Sequence, residues 1–304
     1  MACCKLRRVF SEPCKINWLE GMNCNWNHFN RLSLLLITFF FITLNSLHSQ
    51  IEFKGKIVSE SENKPIAFAS IGVKGKRAGV VADASGNFRL TLPEFIKQSD
   101  TIIISSIGFQ NIRMPVKQAI QNTEFHLQGI PKELSAVTHI SFIKESILGN
   151  SSMDGAMFRA WYDYKTGGEI GKIISVPETQ YKIEKIRFRV DNKCDTCWMR
   201  LHIRKVVNNE PGEELLKQNI IFPVTSYSLN DAGPEIDLSD YNIILSDYTI
   251  FVSFEVINCS SAEPAYSSLC FIGEENGEYV YKSFVNSDWE FYRNGLALKI
   301  YLSH

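Results

Sequence analysis

Cys194 and Cys197 enclose two residues, a spacing that serves three kinds of sulfur chemistry. A redox pair needs a thioredoxin-like βαβ setting, and nothing around it reads as helical. Half of a zinc site needs a second close pair, but Cys259 and Cys270 stand far apart in the chain. A structural disulfide is the default for an exported protein. Disulfides, free thiols and a metal all stay open at this stage. The most local connectivity would join Cys194 to Cys197 and Cys259 to Cys270. The other four cysteines lie within the first 24 residues.

Other catalytic groupings are thin. Beyond the first 50 residues the histidines are His126, His139, His202 and His304. None sits in the close spacing of a zinc peptidase. Neither a G-x-S-x-G elbow, a P-loop nor a dinucleotide fingerprint occurs. The expectation is therefore no catalytic residue, no cofactor and no metal.

Binding chemistry is better represented. Trp161, Tyr162, Tyr164, Tyr266, Tyr279, Tyr281, Trp289, Phe291 and Tyr292 concentrate in the C-terminal half. Asn286-Ser287-Asp288-Trp289 reads as a loop, so Trp289, with Asp288 and Tyr292, is a candidate platform for a sugar ring. Filling or closing a β-sandwich is the competing role for such aromatics. Two basic rows follow the strand period: Lys185, Arg187 and Arg189, then Arg200, His202 and Arg204. In one sheet they would form a cationic patch for acidic glycans, with Arg187 and Arg189 as ligands. In opposite sheets they would be ordinary outward faces, paired with Glu255 or Asp237.

Alternation also supplies the elements that position these groups. Ile51, Phe53, Gly55 and Ile57 mark a first strand; Ala67, Ala69, Ile71 and Val73 mark a second. Asp83-Ala84-Ser85-Gly86 has Asp and Gly where a type I turn favours them. Phe88, Leu90 and Leu92 then alternate with polar residues until Pro93. Ile102–Ile104 reads as a buried strand, and Gly108 as a bend into Phe109. Ile112, Met114 and Val116 alternate next, a short helical turn fits 116–121, and Phe125 with Leu127 closes the set. Gly149-Asn150-Ser151-Ser152 is a boundary signal. Beyond it, strands are expected near 157–164, 169–176, 181–190, 198–207, 218–222, 248–256, 269–272, 279–284 and 296–302. Turns separate them at Thr166–Gly168, Asn208–Gly212, Ala232–Pro234 and Glu275–Gly277.

The D-x-x-G-x-F turn at Asp83–Phe88 with S-x-x-G-F at Ser105–Phe109 resembles the carboxypeptidase-like regulatory domain. That family is a small transthyretin-like sandwich of seven strands, common in Gram-negative envelope proteins and at the front of TonB-dependent receptors. The resemblance covers about residues 51–127 and implies no peptidase activity. Glu133–Thr138 is similar to the L-x-E-V-V-V segment that follows this domain in such receptors, with Ser135 or Ala136 at its acidic position. The strand pattern beyond residue 153 is similar to a jelly-roll-like domain of exported bacterial proteins.

Composition sets the compartment. Leu32–Leu44 is a short apolar run after Arg31 and before Ser46-Leu47-His48-Ser49, the pattern of a signal peptide cut after Ser49. Met22 is an alternative start. At about 20 residues for a bilayer span, the run is short for an anchor. Beyond Ser49 the chain carries 27 Lys/Arg against 31 Asp/Glu, which gives no electrostatic case for nucleic acid.

The combined expectation is an all-β chain: a signal peptide over 1–49, the regulatory-like sandwich over 50–128, a linker over 129–152 and a jelly-roll-like sandwich over 153–304. The function expected is a non-catalytic exported envelope module that binds a surface polysaccharide or an outer-membrane protein, without a membrane span of its own after cleavage. Its location would be periplasmic, outer-membrane-associated or extracellular. An accessory subunit of a TonB-dependent receptor is the first alternative. A hydrolase is the second, and it would need ionisable groups converging in one pocket.

Overall fold

Three phenylalanines on alternate strand positions build the first core. Phe53, Phe88 and Phe125 pack edge-on or tilted at centroid distances of 4.9, 5.7 and 5.9 Å. The computed structural model describes residues 51–131, 142–150, 156–161, 167–227, 232–261 and 268–304. The expected signal peptide, the Glu133–Thr138 segment, Tyr162, Tyr164 and Tyr266 lie outside them.

Seven strands surround the phenylalanine core. They are β1 (Ile51–Ser59), β2 (Ser70–Val73), β3 (Gly79–Val81), β4 (Asn87–Leu92), β5 (Thr101–Ser105), β6 (Ile112–Pro115) and β7 (Glu124–Leu127). β4-β1-β7 make one sheet, with β7 parallel to β1. β3-β2-β5-β6 make the other, all antiparallel. A helical turn, α1 (Val116–Ala119), connects β6 to β7.

The turn before β4 forms as its residues dictate. Asp83 Oδ1 accepts the backbone N–H of Ser85 at 2.8 Å and of Asn87 at 2.9 Å. Gly86 closes it with φ +76°, and a Cβ there would sit 2.6 Å from the Ile57 carbonyl oxygen. Ser106–Phe109 is a second tight turn, with Gly108 at φ +88° where a type II turn reserves the place for glycine.

The larger part continues with β8 (Glu145–Gly149), β9 (Ala156–Trp161), β10 (Glu169–Ser175), β11 (Tyr181–Phe188), β12 (Val190–Val207), β13 (Glu210–Glu214) and β14 (Ile220–Tyr227). It ends with β15 (Glu235–Asp237), β16 (Ile243–Leu245), β17 (Thr249–Ser260), β18 (Leu269–Lys282), β19 (Glu290–Leu296) and β20 (Leu298–Ser303). An eight-stranded sheet runs β13-β12-β17-β10-β18-β19, with β14 on β12 and β9 on β18. β12 also pairs β18, which curls the sheet toward a barrel. β15-β11-β20-β8, with β16 on β11, form the facing sheet. Between them lies a separate core that includes Phe188, Leu201, Phe254, Phe271 and Ile300.

Several elements depart from expectation. The Asn208–Gly212 stretch turns over Asn208 and Asn209 alone, both at positive φ, and β13 pairs with β12 at once. This is the two-residue hairpin that left-handed asparagines favour, and Pro211 sits on an edge strand where proline is tolerated. Glu275–Gly277 is not a turn between two strands. β18 runs through it, and the extra residues are absorbed as an irregularity between Glu274 and Glu278. Residues 145–149, within the expected linker, pair with β20.

Gly86→Ala should lower unfolding stability by at least about 1 kcal/mol, from left-handed strain and the Ile57 carbonyl. Gly129→Ala, with nothing within 4 Å of its added Cβ, should change stability by less than about 0.5 kcal/mol. Urea unfolding of both variants checks this; equal effects would contradict it.

Candidate functional site

β12 places Met199, Leu201 and Ile203 in the core and turns Arg200, His202 and Arg204 to the opposite face. Cross-strand register extends that face over four strands. Arg200 on β12 stands opposite Glu255 on β17, Glu255 opposite Glu169 on β10, and Glu169 opposite Lys282 on β18. Glu214 arrives from β13, opposite Arg204. Positive and negative groups thus meet within a few ångströms.

This face is covered. Arg200 is 1% exposed, Glu169 1%, Glu255 3% and His202 6%. The cover is the N-terminal sandwich. All four residues of β2 are buried: Ile71 and Val73 on the phenylalanine core, Ser70 and Gly72 on the larger sheet. A Cβ on Gly72 would meet the Val285 carbonyl oxygen at 2.3 Å, so glycine sets how closely the layers approach. Val81, Ile257 and Val285 make a small apolar cluster across the contact. Gly75 N–H donates to the Asn286 carbonyl at 2.8 Å, and Asn286 Nδ2 to the Ile103 carbonyl at 3.3 Å.

The polar contacts saturate the carboxylates. Glu255 accepts from Arg200 Nη1 at 3.0 Å, His202 Nε2 at 3.0 Å and Ser70 Oγ at 3.1 Å. Glu169 accepts from Arg204, from Ser253 Oγ at 2.5 Å and from Lys282 Nζ at 2.7 Å. Glu214 accepts from His202 Nδ1 at 2.6 Å and from Ile203 N–H at 3.0 Å. Arg200 also donates to the Phe68 carbonyl, which Phe68 aims there from φ +57°, a conformation costly for an aromatic residue.

Charge states follow from these contacts. Burial alone would raise the Glu255 pKa, but Arg200 and His202 outweigh it and hold it at about 2. Burial likewise opposes ionisation of Glu169 and Glu214. Arg204 and Lys282 overcome it for Glu169, and His202 and Arg204 for Glu214, so both fall below the usual carboxylate range. For His202, burial and Arg204 push down, while Glu169 and Glu214 push up harder, leaving it raised above 6.5. Both imidazole nitrogens face carboxylate oxygens, which only the doubly protonated ring can satisfy. At neutral pH the cluster therefore sets ionised carboxylates against arginine, lysine and a doubly protonated His202.

The cluster itself lines one side of a cleft of about 650 Å³, which lies between the Ser105–Phe109 turn and the eight-stranded sheet. Lys282 and Trp289 form part of its wall. Trp289 is half-buried, 5.2 Å from Phe251, with Lys282 Nζ 4.4 Å from its ring centroid. Asp288 is exposed beside Gly75.

Other candidates lie apart. Tyr292 stacks on Tyr279 at 5.1 Å and bonds to Glu290, away from the cleft wall. Arg187 pairs with Glu235 on the other sheet, alongside Lys185. Arg189 is buried between β11 and β12. The two basic rows thus make no common patch, because β11 and β12 belong to different sheets. Glu255 is the partner foreseen for the second row. Glu169, Glu214, Lys282 and Ser70 were missed, since pairing across sheets and layers leaves no local signal.

The local disulfide pattern is corrected as well. Cys197 bonds to Cys259, its direct neighbour across β12 and β17. Cys194 and Cys270 stay outside that bond, and Cys270 on β18 stands opposite Asp191 on β12. Cys194 lies close to the bonded pair, but a disulfide offers no thiolates to a metal.

Residues 53–138 match the family described as CarboxypepD_reg-like domain. Over 90 residues, 30% of this chain, the sequence is 36% identical to the TonB-dependent receptor SusC of Bacteroides thetaiotaomicron. Over 109 residues, 36% of this chain, it is 28% identical to the TonB-dependent receptor P39 of Formosa agariphila. The matches span only 8% and 10% of those receptors. Among the described residues no helix is long and apolar enough to cross a membrane, which says nothing about β-barrels.

The cluster gives stability a defined pH profile. The carboxylate contributions are complete above about pH 4.5 and fade as pH falls through the depressed values. The His202 contribution is complete below 6.5 and fades as pH rises through its raised value. Urea stability should therefore peak between these limits. His202→Gln should lower the peak and remove the fall on the alkaline side; an alkaline fall of unchanged depth would contradict the assignment.

Proposed function

We propose that the chain is an exported, non-catalytic binding module of the cell envelope. Its CarboxypepD_reg-like sandwich is fixed onto the larger β part, and its ligand enters the cleft beside Trp289. The observation that carries this reading is the saturation of the ionisable cluster. A hydrolase would need converging carboxylates with one held ready to donate or accept a proton. Here Glu169, Glu214 and Glu255 converge, but each is neutralised by cations and kept ionised. What stays open to a ligand is the rest of the cleft wall, where the rings of Trp289 and Phe109 stand among polar and apolar groups. A surface polysaccharide suits that wall: hydroxyls both donate and accept, and the lining supplies Ser106, Asn286 and Glu213 for either role.

The similarity to two TonB-dependent receptors supports an envelope setting. It also favours a second reading, in which the module is an accessory to such a receptor and its partner is an outer-membrane protein.

Titration of the purified chain with neutral and acidic polysaccharides, followed by tryptophan fluorescence, tests the first reading. A saturable change is expected, with affinity at least about tenfold weaker, or 1.4 kcal/mol, in Trp289→Ala of unchanged circular dichroism. No response from the wild type to any polysaccharide would overturn it and leave the receptor-docking reading.

A further inference from the structure

Cys194-Asp195-Thr196-Cys197 is a motif that the cleft does not use. In a regular strand, residues three apart point to opposite faces. Here the pairing of β12 with β14 shifts register between Asn192 and Thr196. Asp195 and Thr196 both turn away from the core, so Cys194 and Cys197 both face into it. β17 sets Cys259 directly opposite Cys197. The three sulfurs lie within 4.8 Å of one another, and two of them are already bonded. A thiol this close to a disulfide is arranged for exchange.

Burial gives the exchange a direction. Cys194 is 1% exposed and Cys197 0%, whereas Cys259 is only half-buried near the end of its strand. A thiolate is costly in apolar surroundings, and the sulfur that leaves most readily is the one best solvated as a thiolate.

We infer that these cysteines form a thiol–disulfide exchange centre that delivers a reactive thiol to the partly exposed position. The Cys194 thiolate attacks Cys197 Sγ. The Cys194–Cys197 bond forms, the Cys197–Cys259 bond breaks, and Cys259 departs as the thiolate. The proton lost by Cys194 ends on Cys259. One disulfide and one thiol stand on each side, so the step needs no oxidant or reductant. Attack on Cys259 instead would strand the charge on Cys197, which has no exposed surface. The substrate class for the released thiol is a small disulfide, with which Cys259 forms a mixed disulfide while the other half leaves as a thiol. This inference does not depend on what the cleft binds.

The test is thiol labelling of the native chain with a maleimide, without oxygen and with a metal chelator, followed by peptide mapping of labels and crosslinks. Molecules labelled at Cys259 should carry a Cys194–Cys197 crosslink, and their share should grow as pH rises, because the attacking species is the thiolate. In Cys194→Ser, Cys259 labelling should fall at least about tenfold, because no attacking thiol remains. The Cys197–Cys259 crosslink should persist there, which reports that the variant has folded. Three results would overturn the inference. They are a Cys197–Cys259 crosslink with no label on Cys259, undiminished Cys259 labelling in Cys194→Ser, and a wild-type chain without crosslinks. If Cys194→Ser does not fold, the wild-type crosslink map decides alone.

Discussion

The buried contact of Arg200 with Glu255 is the constraint on which the arrangement of this protein depends. Arg200 projects from the middle of the eight-stranded sheet, where an outward arginine would ordinarily meet water. Instead it meets Glu255 from the next strand, Ser70 from the N-terminal sandwich, and the carbonyl of Phe68. One guanidinium thereby bonds two chain segments that are more than a hundred residues apart. Its planar fork suits this task better than a lysine would, because several donors are held in fixed directions. The left-handed Phe68, the small residues of β2 and the close passage of Gly72 past Val285 all follow from seating a sandwich on that point.

Burying so many charges is not an efficient source of stability. Desolvation offsets much of the Coulombic gain, and a well-packed apolar contact would often serve as well. What charges supply is selectivity of placement. A sandwich displaced by one strand spacing would take Ser70 and the Phe68 carbonyl away from Arg200 and leave buried guanidinium N–H groups without acceptors, a penalty of about 1–3 kcal/mol or more. The apolar part of the contact, Val81 with Ile257 and Val285, is small and would tolerate sliding. The charge row therefore fixes where the two parts meet, and the cleft beside Trp289 inherits its shape from that register.

Much of this was legible in the sequence. Asp83 and Gly86 announced their turn because an Asx side chain and a left-handed glycine are local requirements. The alternation of Arg200, His202 and Arg204 with apolar residues correctly gave the strand and the face, and Glu255 was a foreseeable partner. The cover over that face was not legible. Ser70 and Gly72 are small and polar enough to read as a solvated strand face, and their burial depends on a layer built from residues far along the chain. Cysteine connectivity failed for a similar reason: the register that sets Cys197 against Cys259 lies between strands. Glu275–Gly277 looked like a turn because its residue types suit one, but pairing with β19 on both sides carries the strand through.

Native-state hydrogen exchange comparing the wild type with Arg200→Leu tests most directly whether the buried charge cluster holds the sandwich in place. The account predicts that β2 and the outer-face strands β10, β12 and β17 lose protection together. The strands β1, β4 and β7, remote from the contact, should keep theirs. Unchanged protection along β2, or a uniform loss across all strands, would contradict it.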